Sequence, residues 1–255
     1  MGRCKEIIIK VIPAKVANPF VMKHHYSGKV VPNSVLHFGA FLDGKLHGVL
    51  SFGSSMDKKK VIGLVEDTGW NEFLELNRMA FDDYLPRNSE SYCIGATLRM
   101  IKKQAPHIKW IISFADGTQC GDGTIYRASN FVLTGVSKNR TIIEMPDGSV
   151  VAGLTLDQQL PNIKAKYDLM CGLDPLKYWR KSDYIRGGAK AKDGFMLRYI
   201  CFLDKKSRAK LAVPEIPFSK IDELGAGMYK GEQCERQERH EKKCTAQIER
   251  EQNKD

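Results

Sequence analysis

Residues 116–135 read DGTQCGDGTIYRASNFVLTG and follow the apolar run IKWIISFA at 108–115. An apolar run ending in an acid, then a Gly-rich polar loop, a short segment carrying Ile125 and Tyr126, and an apolar segment entered through Asn130 and Phe131 spells strand, loop, short helix, strand. Ligands in open α/β sheets gather beyond the C-terminal ends of strands, which is where this order puts Asp116 and Tyr126. A tyrosine there can protonate a departing group. The same spacing also suits an amphipathic core tyrosine with a satisfied hydroxyl.

Upstream, KEIIIKVI (5–12) predicts a first or edge strand, and NPFVMKHHY (18–26) a short helix with Asn18 as its cap and Pro19 in its first turn. VLHFGAFLD and KLHGVLSFG alternate about Asp43-Gly44 and predict a hairpin. Lys58–Lys60 reads as a mobile loop, FLELNRMAF (73–81) as a strand, and DDYLPRN as the lead into a helix over about 89–104, capped by Asn88 or Ser89. Its apolar face is Ile94, Leu98 and Ile101, and Lys102 and Lys103 complement the dipole at its end. Strand, helix, strand in this order implies a parallel pair with a right-handed crossover.

Downstream, Pro146-Asp147-Gly148 marks a second hairpin, 157–172 is helical but interrupted by Pro161, and 173–192 interleaves aromatic and basic residues before the strand-like GFMLRYICFLD. The expectation is an α/β fold, a mixed central sheet flanked by helices, with an added C-terminal hairpin and basic segment. One domain is expected over 1–231, with a basic C-terminal extension beginning near 155. The charged tail 232–255 reads as a solvated helix or as disordered.

The chain has 255 residues and a net charge of +10. Six basic residues face seven acidic ones between Glu232 and Asp255, so residues 1–231 carry +11. A basic folded body fits a polyanionic partner, although a basic but inert surface has the same composition. No apolar run approaches the roughly 20 residues of a membrane span, and MGRCKEIIIKVIPAK lacks a secretory cleavage pattern. Seven scattered cysteines without C-x-x-C pairs point to reduced thiols in a cytoplasm and away from a closed zinc site.

Ile125, Tyr126, Asn130, Phe131 and Gly135 resemble the closing helix and strand of the acetyltransferase-like (GNAT) fold. Together with HHYSGK (24–29), LELNRM (74–79), PRNSES (86–91), IKWIISFAD (108–116) and GTIYRASNF (123–131), they make the chain resemble, over roughly residues 5–230, the phage Mom DNA-modification proteins. The resemblance implies a GNAT-like fold and transfer of a carbamoylmethyl group to N6 of adenine in double-stranded DNA. It further implies protection from restriction, in the cytoplasm of an infected host cell.

Adenine N6 is a poor nucleophile because its lone pair is delocalised into the ring, so the site needs a proton acceptor and donors for developing charge. Asp116 is the first choice to hold N6–H; a cap on the following helix is its plain alternative. The resemblance adds His25 and Tyr26, with His25 as base or proton shuttle. A metal is left unassigned, since neither His37 nor His47 is evidently near His25 and Asp116.

The helix start near Ser89 is the natural anion site. Where GNAT enzymes carry a Gly-rich loop for coenzyme A, this chain has Arg87-Asn88-Ser89-Glu90-Ser91 without glycine, which puts coenzyme A in doubt. Arg87, Asn88, Ser89, Ser91 and Ser113 are the expected donor-binding residues. The donor itself is an activated two-carbon unit, either of acyl-CoA type or an activated glycine such as glycyl-tRNA. Flipping of the target base is expected, with Arg78, Lys177, Trp179, Arg180, Lys181 and Arg186 on the DNA. Other readings are a GNAT-like N-acyltransferase on a protein or small amine, or a non-catalytic DNA-binding anti-restriction protein. Oligomerisation is left open.

Overall fold

The computed structural model describes residues 3–157, 161–229, 232–234 and 238. Its centre is a seven-stranded mixed sheet in the order β1-β2-β3-β4-β5-β10-β6. β1 (Ile8–Ile12) is the edge, and β2 (Ser34–Leu42) and β3 (Lys45–Gly53) form the hairpin expected from the alternation. Asp43 and Gly44 both take positive φ, 50° and 76°, the conformation a two-residue turn between twisted strands requires.

α1 (Ala14–His24) is capped at Pro13, five residues before the expected Asn18, and keeps Pro19 inside it. Burial decides this, because Ala17 and Val21 pack with Ile12, Val49 and Ala80 against the sheet. Lys58–Ile62 is a helical turn, α2, where a mobile loop was expected. Val61 drops into the core beneath it, and the Lys58 ammonium lies 4.4 Å from the centre of the Trp70 ring.

β4 (Phe73–Phe81) and β5 (Trp110–Asp116) are parallel and joined by α3 (Ser89–Gln104), as the sequence order implies. Asn88 holds the N-cap position of α3 in a left-handed conformation without a side-chain cap bond. α4 (Thr124–Ala128) and β6 (Val132–Asn139) follow. β6, however, does not pair with β5: β10 (Gly194–Phe202) enters between them, antiparallel to both. Leu197, Tyr199, Ile200 and Cys201 are all buried, as befits a strand covered on both faces.

Between β6 and β10 the chain makes a smaller unit. β7 (Ile142–Glu144) pairs with β8 (Val150–Ala152) about the Pro146-Asp147-Gly148 turn, and β9 (Lys190–Ala191) completes a three-stranded sheet. α5 (Gly153–Asp157), α6 (Pro161–Met170) and α7 (Lys181–Arg186) accompany it. Ile143, Met145, Val151, Leu156, Cys171, Tyr184 and Ala189 form its own core. The basic segment expected as a C-terminal extension therefore divides: up to Ala191 it belongs to this inserted unit, and β10 returns to the main sheet. Most of the 232–255 tail lies outside the described residues. No helix among the described residues is long and apolar enough to cross a membrane.

Candidate functional site

β4 and β5 pair only from Phe73, Leu74 and Glu75 to Trp110, Ile111 and Ile112; beyond that point they diverge. Buried Ser113 bridges the fork, its Oγ donating to the Leu76 carbonyl at 3.3 Å. The opening collects polar groups from five segments. β4 supplies Glu75 and Arg78, β5 supplies Asp116, the loop after it Cys120, and α4 Tyr126, while His25 and Tyr26 come from the end of α1.

Tyr126 is only 7% exposed and packs against Phe131 and Tyr199, each 5.3 Å away between ring centres. Its hydroxyl bonds to Ser113, and burial pushes the phenol up to about 12, so it stays protonated and acts as a donor. It is thus both the core tyrosine and the floor of the fork. Tyr26 is 55% exposed, yet burial of its hydroxyl beside Cys120 and Asp116 raises the phenol, with Arg78 opposing. Water reaching the ring screens this push. Cys120 likewise is solvent-exposed while its thiol is displaced upward, by burial and by Asp116. Groups both surrounded by protein and reached by water are the walls of a concavity.

Asp116 does not cap α4, whose N-cap is Gly123. Its Oδ1 instead accepts from the Thr118 amide (3.0 Å), the Thr118 hydroxyl and Asn139 Nδ2 (3.1 Å). That oxygen is saturated, whereas Oδ2 has no hydrogen-bond partner among the described residues. Three donors thus fix the carboxylate and leave one oxygen for a ligand.

His25 takes the Ser27 amide proton on Nδ1 at 3.1 Å, so the neutral ring carries its own proton on Nε2. Burial first, and Arg78 second, push the imidazole down to about 4. At neutral pH His25 is therefore an uncharged ring offering Nε2–H, a proton donor; accepting one there would require the other tautomer and loss of the Ser27 bond. Its ring lies 4.2 Å from that of Tyr26. Arg78, expected on the DNA, stands in this cluster beside His25, Tyr26 and Glu75. Its Nε donates to Lys29 O (2.9 Å) and its Nη1 to Asn77 O (2.8 Å).

Sequence reading passed over Glu75 and Cys120. Burial raises the Glu75 carboxyl, while a hydrogen bond with Ser55 and the charge of Arg78 pull it back. The loop holding Ser55 is pinned where Ser54 O accepts from Asn77 at 3.3 Å and from Asn33. The available signal was the alternation of β4, which leaves Glu75 as an acid in a half-buried strand.

The expected donor segment lies at the start of α3, next to α4: Ser129 Oγ reaches Ser91 O at 3.4 Å. Ser89 is 1% exposed and donates its hydroxyl to Pro86 O, and Ser91 donates to Asn88 O. Both hydroxyl protons are committed to the backbone, and Ser113 is spent within the fork. Arg87 and Asn88 are the exposed members. In the inserted unit, Trp179 is an anchor, its Nε1 donating to Asp174 O at 2.8 Å. Arg186 pairs with Asp183, Lys177 stands 3.8 Å from Asp174, and Lys181 Nζ donates to Arg140 O at 2.5 Å. No group of three or more His, Cys, Asp or Glu placed to hold a metal occurs among the described residues.

A family model described as the Mom protein family matches residues 6–220. The methylcarbamoylase Mom of Escherichia phage Mu is 32% identical over 208 residues, covering 81% of this chain and 80% of that protein. Among solved structures, the ribosomal-protein-S18-alanine N-acetyltransferase of Escherichia coli is similar at 9% identity and a TM-score of 0.42, over 78% of this chain and 94% of that one. The IAA acetyltransferase of Bacillus cereus is similar at 10% identity and a TM-score of 0.39, over 77% and 99%. These superpositions are partial and say nothing about the donor.

Proposed function

The chain belongs to the Mom protein family, and on that premise we propose that it modifies DNA by transferring a carbamoylmethyl group to N6 of adenine in the duplex, protecting it from restriction in the infected cell. The observation that carries this reading is the convergence, at the β4–β5 fork, of a fixed carboxylate, a desolvated carboxyl, two phenols, an arginine and a neutral histidine in one chain with a methylcarbamoylase relative.

Each group has a role in attack by an exocyclic amine. Asp116 Oδ2 accepts one N6–H and aims the lone pair, and Glu75, whose proton affinity burial has raised, takes the proton as the new bond forms. The Arg78 guanidinium and the Tyr26 hydroxyl face the oxygen that gains negative charge, and the Tyr126 hydroxyl joins them by turning its proton from Ser113 to that oxygen. The exposed Tyr26 ring offers the extruded base a stacking surface.

An activated glycine, as glycyl-tRNA, fits a basic body and an α3 start without glycines. Glycyl transfer forms the N6–C(O) bond and releases the tRNA hydroxyl with the proton from N6. The glycyl amine then attacks C6 through a five-membered ring, the C6–N6 bond breaks, and the amine proton passes to the departing amide nitrogen. Carbamoylmethyl-adenine, an isomer of the glycyl adduct, results. The Nε2–H of His25 suits that last protonation.

The experiment is to express the chain with a resident plasmid, feed isotope-labelled glycine, and challenge the plasmid with endonucleases whose sites contain adenine. Resistance together with label in the modified nucleoside supports both function and donor. Resistance without label removes the glycine route alone, and full sensitivity with soluble protein removes the function.

A further inference from the structure

One turn of the inserted unit presents two apolar side chains to water, Leu176 at 95% exposure and Tyr178 at 65%. A single exposed leucine needs no explanation. Leu176, however, is held out by a built turn. Lys177 N donates to Asp174 O at 3.1 Å and Leu176 N to Asp174 Oδ1 at 2.9 Å, which closes Asp174-Pro175-Leu176-Lys177 into a β-turn with Pro175 at its first corner. The Trp179 indole is tied to the Asp174 carbonyl (2.8 Å), and Lys164 Nζ to the Pro175 carbonyl (3.1 Å). These bonds serve the fold, but the exposed apolar tip that they hold out buries nothing in it.

The surroundings of the tip indicate what covers it. Residues 155–192 carry eight Lys or Arg against four Asp, so the apolar tip projects from a basic surface. The segment is also fastened beside the reaction site at two points. Lys181 Nζ bonds Arg140 O, and the adjacent Asn139 holds Asp116 Oδ1. On the other flank Thr155 Oγ1 accepts from Lys29 Nζ at 2.7 Å, and Lys29 O accepts from Arg78.

We propose that the Leu176–Tyr178 turn is a wedge that enters the DNA base stack where the target adenine leaves it, while the flanking cations hold the phosphates. The inference rests on the DNA reading above. An adenine rotated into the fork leaves an unstacked gap, and apolar side chains inserted between base steps keep such distortions open. Phosphate contacts give affinity without opening the duplex. The wedge supplies the opening.

The test compares the full chain with Leu176→Ala/Tyr178→Ala and with Leu176→Ala alone. Their binding is measured on two fluorescent duplexes of one sequence, one fully paired and one whose adenines face abasic sites. Both side chains are exposed, so melting temperatures are expected to match the wild type; the single variant serves if the double does not fold. The double variant is expected to lose about tenfold on the paired duplex and less than twofold on the abasic one, where opening is already provided, with the slope of affinity against salt unchanged. Equal losses on the two duplexes, or no loss on either, overturn the wedge. So does loss of tRNA binding alone, or a wild-type dimer that falls apart in the variant, since the turn would then serve another partner. Failure of the wild type to bind either duplex strikes the DNA reading instead.

Discussion

The fork between β4 and β5 and the inserted unit that flanks it are built on opposite terms. In the fork, polar groups are desolvated, tied to the backbone or to one another, and moved from their ordinary proton affinities: His25 down, Tyr126, Tyr26 and Glu75 up. In the inserted unit the basic side chains other than the buried Lys164 are largely open to water, several beside an acidic neighbour, and the large apolar residues Leu154, Leu169, Leu176 and Tyr178 are exposed. Under the proposed function, the first pattern suits chemistry on a bond and the second suits a large charged surface that arrives and departs. The proposed division of work between the two regions can be broken by single substitutions.

The largest effect is expected in the fork. Asp116→Ala removes the one fixed oxygen that holds the amine and should reduce modified adenine by roughly two to three orders of magnitude, with DNA affinity changed less than threefold; parallel loss of affinity would move Asp116 into the binding surface. The next effect isolates the inserted unit. Asp168 is fully buried, accepts from the Tyr184 hydroxyl at 2.6 Å and pairs with Lys164, so Asp168→Ala strands a buried ammonium. A cost of about 3 kcal/mol is expected, read by hydrogen exchange as faster opening of β7 and β8 with β5 and β10 unchanged. If β5 and β10 open equally, the two regions are one cooperative unit.

Smaller changes sharpen the contrast. Arg180→Ala/Lys181→Ala should weaken duplex binding about five- to tenfold at physiological salt and flatten the salt dependence by about one to two units of slope. An unchanged slope would take both residues off the phosphates. The smallest effect is at His25. Its proton affinity is lower in the fold than in the unfolded chain, so its contribution is complete above pH 6.5 and is lost as pH falls towards 4. In the half-buried ring, screening limits this to about 1 kcal/mol. Wild type should therefore lose that much more stability than His25→Asn between those pH values; parallel curves would mean that the ring protonates freely in the fold.

Local chemistry was legible in the sequence, and long-range insertion was not. Asp43-Gly44 dictated a hairpin turn, and the Ile94, Leu98 and Ile101 face with its end signals marked α3 to the residue. Nothing in GFMLRYICF says that it slips between two strands already written in order, because neighbours in sequence are usually neighbours in the sheet. α1 ran past its expected cap because burial of Ala17 outweighed local preference.

In the site, Asp116 and Tyr126 were singled out from their own segment and His25 and Tyr26 through the family resemblance, and the structure brings the four together. Glu75 was hidden by the ordinary look of an acid in an alternating strand. The committed hydroxyls of Ser89 and Ser91 could not be read at all, since that depends on which carbonyl lies within reach.

The most direct measurement is nucleoside mass spectrometry of plasmid DNA from cells expressing the wild-type chain, Asp116→Ala or Tyr126→Phe. A deoxyadenosine enlarged by one carbamoylmethyl group in the wild-type sample, and strongly reduced in both variants, is the predicted result. Unmodified deoxyadenosine in all three, with the proteins folded and soluble, would contradict the account.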